Sequence, residues 1–212
     1  ADTAMTLMLM SARRAGEGER LVRSGQWEGW HPTQLLGMHL GGKTVGIVGM
    51  GRIGQAIARR CLHGFGMNVV YHSRSPKTLD FAARAMPGLL ELAAAVDVLV
   101  VAVPGGDETH HLIDADAVGQ MREGVMLVNT GRGALVDTTA VLTGLKSGRV
   151  GSLALDVYEE AHQFGDGDRR LGIIELDRSL GRQGIEIGIQ ATVTAQDVLQ
   201  RFGTGGKLLI IL

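Results

Sequence analysis

The spacing of apolar and polar positions divides this chain into a leading helix and a repeating series of strands and helices. Over residues 3–23, Met5, Leu7, Met8, Met10, Ala12, Leu21 and Val22 recur among polar residues at helical spacing, which predicts one long amphipathic helix closed by Ser24 and Gly25. Its Met-rich face reads as core packing. Residues 26–42, with two tryptophans and Pro32, read as a loop. The apolar run at 45–48 predicts a buried strand, and residues 55–61 a helix with Ile57 and Ala58 turned inward. Further strands are predicted at 66–72, 96–103, 125–128 and 150–155, and helices at 88–95, 114–121 and 138–146. Strands alternating with helices predict a parallel sheet covered on both faces, an α/β architecture.

The turn after the first strand carries Gly49, Gly51 and Gly54, with Arg52 and Ile53 between the last two. In a Gly-x-Gly-x-x-Gly turn the first glycine allows the sharp bend, the second lets backbone approach a pyrophosphate, and the third lets helix pack closely on strand. The helix that follows aims free N–H groups and its positive dipole end at the anion. Glycine is frequent, 32 of 212 residues, so the triplet gains its meaning from the strand before it and the helix after it. The expected fold is therefore a Rossmann-type doubly wound parallel sheet preceded by the long helix. Ligands of such sheets sit beyond the carboxyl ends of the strands. The groups to inspect there are the glycine turn, Ser73 and Arg74, Val103 and Pro104, residues 129–132, and Asp156.

The end of the second strand bears on coenzyme choice. About 20 residues past the glycines, such folds carry an acid when the adenosine ribose has a free 2′-hydroxyl, and basic groups when it bears a phosphate. This chain has Ser73, Arg74, Ser75, Pro76 and Lys77, with no acid before Asp80. Arg74 can pair bidentately with a 2′-phosphate and Ser73 can donate to it, so NADP is expected in preference to NAD. A solvated basic turn is the other reading.

Composition narrows the partners. Lys and Arg number 21 against 22 Asp and Glu, a net charge of −1, so no basic field recruits nucleic acid. The apolar run at 4–10 is too short for a bilayer and has no basic residues ahead of it, so neither membrane anchor nor signal peptide is expected. A single cysteine, Cys61, excludes an internal disulfide and fits a reducing, cytoplasmic setting; it reads as a small hydrophobe on the first βα helix. Residue 1 is Ala, and the chain is expected to begin inside a longer polypeptide or after processing.

Residues 129–137, together with 40–54, 64–67, 104–113 and 145–158 in that order, resemble the D-isomer-specific 2-hydroxy-acid dehydrogenases, most of all the glyoxylate/hydroxypyruvate reductases. The resemblance covers residues 1 to 160. It implies hydride transfer from a nicotinamide to the carbonyl carbon of a 2-oxo acid. In that family an arginine holds the substrate carboxylate, a histidine donates the proton, and a glutamate raises that histidine's pKa. The arginine's role falls to Arg132, whose fixed fork of donors suits a planar carboxylate. The resemblance further implies that Asp156 accepts from the nicotinamide carboxamide, that Val103, Pro104 and Thr130 line the coenzyme, and that Thr109 lies near its phosphates. It implies a small-molecule 2-oxo or 2-hydroxy acid as substrate and a homodimer as assembly.

The match then departs. The family's glutamate falls at position 161, which is Ala161; Glu160 takes the role if one residue is deleted, and a solvated acidic turn is the alternative. Residues 161–212 hold no proline and only His162, which reads as a loop residue and not the acid. The family's first half, most of the substrate domain, is missing, so the long helix and the C-terminal segment are expected to lack their usual partners. Residues 1–28 are thus read as a connecting helix, 29–160 as the NAD(P)-binding domain, and 161–212 as an atypical tail that is not the family's native ending. Within that tail, 185–193 suggests a strand, 195–202 a helix, 165–168 a turn in preference to a calcium loop, and 207–212 an apolar end. Two functions follow: a fragment of an NADP(H)-dependent 2-oxo-acid reductase, or a nucleotide-binding module without turnover. A metal enzyme using His110 and His111 is disfavoured, because adjacent residues rarely face one ion and no further ligand clusters nearby. His31, His39, His63 and His72 read as loop or surface groups.

Overall fold

Strands that are apolar on every residue cannot leave either face in water, and here they gather into one sheet with helices on both sides. The computed structural model describes residues 1–159 and the strands Gly172–Glu175, Ile185–Ile189 and Gly206–Ile210. Strands β1 (Thr44–Val48), β2 (Asn68–His72), β3 (Arg84–Ala85), β4 (Val98–Val101), β5 (Val125–Asn129) and β6 (Val150–Leu155) run parallel in the order β3-β2-β1-β4-β5-β6. Strand β7 (Gly172–Glu175) continues the sheet antiparallel to β6. Strands β8 (Ile185–Ile189) and β9 (Gly206–Ile210) pair in parallel as a separate two-stranded sheet. The order reverses between β1 and β4, the point at whose carboxyl ends sheets of this kind place their ligands.

Side-chain alternation divides the core in two. Leu99, Val101 and Leu127 face one side, against Leu92 of α4 (Leu89–Ala95), Val118 of α5 (Ala115–Gln120) and Val141 and Leu145 of α6 (Thr138–Ser147). Val98, Val100, Met126 and Val128 face the other, against Leu7 and Met8 of α1 (Asp2–Ala12) and Ile57 of α3 (Arg52–Arg59). Aspartates start two of the helices: Asp114 accepts from the Ala117 amide, and Asp137 from those of Thr139 and Ala140.

The long leading helix expected over 3–23 is two helices. Residues 13–20 carry no large apolar side chain to bury, and at Arg14 the backbone turns left-handed (φ 51°), ending α1 and starting α2 (Ala15–Arg23). The amide of Met38 fills the vacated position by donating to the Ala12 carbonyl (2.9 Å). The first of the two packs on the sheet, where Leu7 and Met8 are fully buried. The two-residue edge strand β3 is exposed and polar at Arg84, and apolar periodicity cannot find so short an element. Residues 60–64 extend α3 by a wider π turn. In the tail, β8 covers residues 185–189 of the expected strand and β9 covers 207–210 of the apolar end; residues 190–193 and 211–212, the helix expected at 195–202, the 165–168 turn, Glu160, Ala161 and His162 lie outside the described residues.

Cys61 is buried 3.7 Å from the Met5 sulfur, and burial pushes its thiol up to about 12, so it stays protonated. Among the described residues no helix is long and apolar enough to cross a membrane. Because Leu7 is fully buried between α1 and the sheet, Leu7→Ala is expected to lower stability by about 2–5 kcal/mol. Urea denaturation measures this, and a loss under about 1 kcal/mol would mean that α1 is not docked in solution.

Candidate functional site

The carboxyl edge of the sheet is built by what each strand does on ending. After β1 the chain turns at Gly49 (φ 95°), where a Cβ would stand 2.8 Å from the Ala102 oxygen. A Cβ on Gly54 would lie 2.0 Å from the Gly49 oxygen, so α3 seats directly on the turn. Gly51 is the opposite case: exposed, capping α3 with no side chain, and with nothing within 4 Å of a built Cβ. The first-turn amides of α3 therefore open onto bare space flanked by exposed Arg52 and Ile53. This cradle fits a pyrophosphate.

After β2, the His72 carbonyl accepts from the Gly49 amide (2.9 Å), which places half-buried Ser73 and exposed Arg74 beside the glycine turn. Arg74 reaches across the end of β1 to Glu108, in the 3₁₀ turn Asp107–Thr109 that follows β4 (3.1 Å). Asp80, the first acid after Arg74, is taken by Arg59 near the far end of α3 (2.6 Å). That guanidinium's hydrogen bond holds the Asp80 carboxyl below its ordinary range. After β4, Val103 and Pro104 enter a loop closed by the Thr109 hydroxyl, which donates to the carbonyls of Pro104 (3.0 Å) and Gly106 (3.1 Å).

The loop after β5 carries Thr130 and Arg132 and hangs from Asn129. This fully buried asparagine donates from Nδ2 to the Arg132 carbonyl (2.8 Å), accepts at Oδ1 from the Gly131 amide (3.0 Å), and accepts at its own carbonyl from the Asp156 amide (3.0 Å). One residue thus joins the arginine loop, through its side chain, to the end of β6, through its backbone carbonyl. The Arg132 stem lies over Gly105, where a Cβ would meet its Cγ at 2.8 Å, and its guanidinium donates to the Gly131 carbonyl (2.8 Å). Gly133 presses on the Tyr158 backbone. Burial, and secondly the Asp156 charge, push the Tyr158 phenol above its ordinary range, so it is neutral. The sequence marks Asn129 among the strand-end groups to inspect without assigning it this anchoring role, although a lone polar residue finishing an apolar strand is a visible signal.

One sequence inference is corrected. A third group does stand beside the adjacent histidines: Glu159 Oε1 lies 2.5 Å from His111 Nε2 and 3.7 Å from His110 Nε2. It escaped the sequence reading because it is 48 residues from His111 along the chain.

Residues 5–170 match the family model described as D-isomer specific 2-hydroxyacid dehydrogenase, NAD binding domain. The chain belongs to that family. A glyoxylate reductase of Thermococcus kodakarensis is 42% identical over 172 residues, covering 78% of this chain and 51% of the relative. The glyoxylate reductase of Pyrococcus horikoshii is 40% identical over 188 residues, covering 85% and 56%. Among solved structures, a glyoxylate reductase from Paecilomyes thermophila superposes with a TM-score of 0.70 at 39% identity, over 78% of this chain and 50% of that one. The NADPH-dependent glyoxylate/hydroxypyruvate reductase from Sinorhizobium meliloti, in complex with NADP and malonate, gives 0.69 at 40% identity, over 74% and 49%. The chain spans about half the length of the curated relatives it matches.

In this 2-hydroxyacid dehydrogenase domain, Gly49, Gly51, Arg52, Ile53, Gly54, Ser73, Arg74, Val103, Pro104, Thr109, Thr130, Arg132 and Asp156 all lie along one edge of the sheet. Glu160 lies outside the described residues. Removing the buried amide that suspends the arginine loop leaves the amide of Gly131 and the carbonyl of Arg132 without their partner. Asn129→Ala is accordingly expected to destabilise the fold by about 1–3 kcal/mol. Hydrogen exchange should show the Gly131 amide losing protection, and unchanged exchange there would contradict the anchor.

Proposed function

We propose that this chain is the coenzyme-binding half of a reductase that converts a small 2-oxo acid of the glyoxylate or hydroxypyruvate type to the D-2-hydroxy acid, using NADP(H) in preference to NAD(H). The observation that carries it is the shared sheet edge of an open glycine cradle and Arg132. When bound, the dinucleotide supplies the hydride. The amides from Gly51 into α3 hold its pyrophosphate. Arg74 and Ser73 take the 2′-phosphate, and the nearest downstream acid, Asp80, is engaged elsewhere. Thr109 lies by the phosphates, and Val103, Pro104 and Thr130 line the coenzyme. Asp156 accepts from the carboxamide, and Arg132 binds the substrate carboxylate while polarising its carbonyl. Glu160 is the proposed partner of the acid. The 40% identical NADPH-dependent relative supports the coenzyme preference.

A second reading, a nucleotide-binding module without turnover, is favoured by Ala161 at the family's glutamate position and by His162 being the single histidine after His111. We further propose residues 1–28 and 29–160 as linker and coenzyme domain, a reducing cytoplasmic setting, and a homodimer. The dimer face would be the exposed Val22 (59%), Trp27 (50%), Trp30 (78%) and Leu36 (65%), since contiguous exposed apolar side chains mark interfaces.

Fluorescence titration is expected to give tighter binding of NADPH than NADH. Arg74→Ala should weaken NADPH by about tenfold and spare NADH, whereas Glu108→Gln should strengthen NADPH by freeing Arg74. Tighter NADH removes the coenzyme preference, and binding of neither removes the whole reading. Oxidation of NADPH by glyoxylate or hydroxypyruvate selects the enzyme; binding without oxidation selects the module. Sedimentation is expected to show a dimer that Trp30→Glu dissociates, and a monomeric parent chain would exclude the proposed face.

A further inference from the structure

We propose that His110, His111 and Glu159 form a binding site for a divalent first-row transition ion, Zn²⁺ foremost, that pins the segment after β4 to the segment after β6. In an extended chain, adjacent side chains point to opposite sides, which is why neighbouring histidines seldom share an ion. The left-handed backbone at His111 (φ 50°) removes that obstacle. The two rings stack with centroids 3.9 Å apart and planes 28° apart, and both Nε2 atoms face Glu159 Oε1. The three ligand atoms lie within 4.8 Å of one another.

Ligands about 2.0–2.1 Å from a tetrahedral ion stand roughly 3.3 Å apart. His110 to Glu159 is already close to that at 3.7 Å, and His111 to Glu159, at 2.5 Å, must open by less than about an ångström. Two imidazoles and one carboxylate, with a position left for water, suit Zn²⁺, Co²⁺, Ni²⁺ or Cu²⁺. An outer partner is also in place. The Thr138 hydroxyl donates to Glu159 Oε2 (3.3 Å), orienting the carboxylate as outer groups do around bound metals, and the His111 amide donates to the Ala134 carbonyl (2.7 Å), holding the backbone there. His111 and Glu159 are partly buried while His110 is exposed, which leaves a route of entry. A left-handed backbone at a branchless but bulky histidine is strain of the kind that collects at binding sites.

A purely structural clasp needs only the His111–Glu159 hydrogen bond, so His110 separates the two explanations. The test is calorimetric titration of the tag-free full chain with Zn²⁺, alongside Co²⁺ followed by visible absorption. One equivalent is expected to bind, and His110→Ala and Glu159→Gln should each raise Kd by more than about a hundredfold, beyond the roughly 10–100-fold that loss of a mere orienting partner costs. His110 is exposed, so its variant decides the matter if Glu159→Gln fails to fold, as judged by circular dichroism. Absence of one-to-one binding, or equal affinity in His110→Ala, overturns the proposal.

Discussion

Everything functional in this molecule follows from strands that are buried on both faces. β4 and β5 carry no side chain that could do chemistry along their length except Asn129 at the very end, and neither face is open to solvent. Chemistry is thereby confined to the carboxyl rim, where chain direction brings successive loops together. The parallel arrangement aligns those loops; the reversal of strand order between β1 and β4 separates them enough to admit a ligand. Glycine sharpens the rim further. At Gly54 no side chain fits, whereas at Gly51 a side chain would fit but would occupy the space that an anion needs.

Much of this was legible in residue order alone. The strand at Val150–Leu155 agrees with its apolar pattern at both ends, and α6 begins where Asp137 offers a cap. The glycine turn was readable because each glycine answers a separate steric demand. The break at Arg14 was not, because periodicity from Met5 to Leu21 looks continuous if the polar residues between are discounted as one solvated face. β3 was invisible because two residues carry no period. Asn129 acts on Gly131 and Arg132, two and three residues on, and was open to a local reading; the approach of Glu159 to His111, 48 residues away, depends on tertiary closure. Nothing in local spacing encodes that.

The Arg74–Glu108 pair is a contact of little energetic weight. Both side chains are more than four-fifths exposed, and exposed pairs contribute about 0–1 kcal/mol. Such a pair orients the guanidinium without locking it. The same rim therefore holds a firmly anchored arginine loop, suspended from buried Asn129, and a loosely held arginine at the opposite end of the crevice.

The sheet's outer margin beyond β2 has its own consequence. β3 pairs over only two residues, Arg84 and Ala85, and presents a cationic side chain there. A stray unfolded segment finds almost no ladder to zip onto along that border, and the guanidinium resists desolvation as it approaches. At that flank, brevity acts as a built-in safeguard against amyloid-like growth.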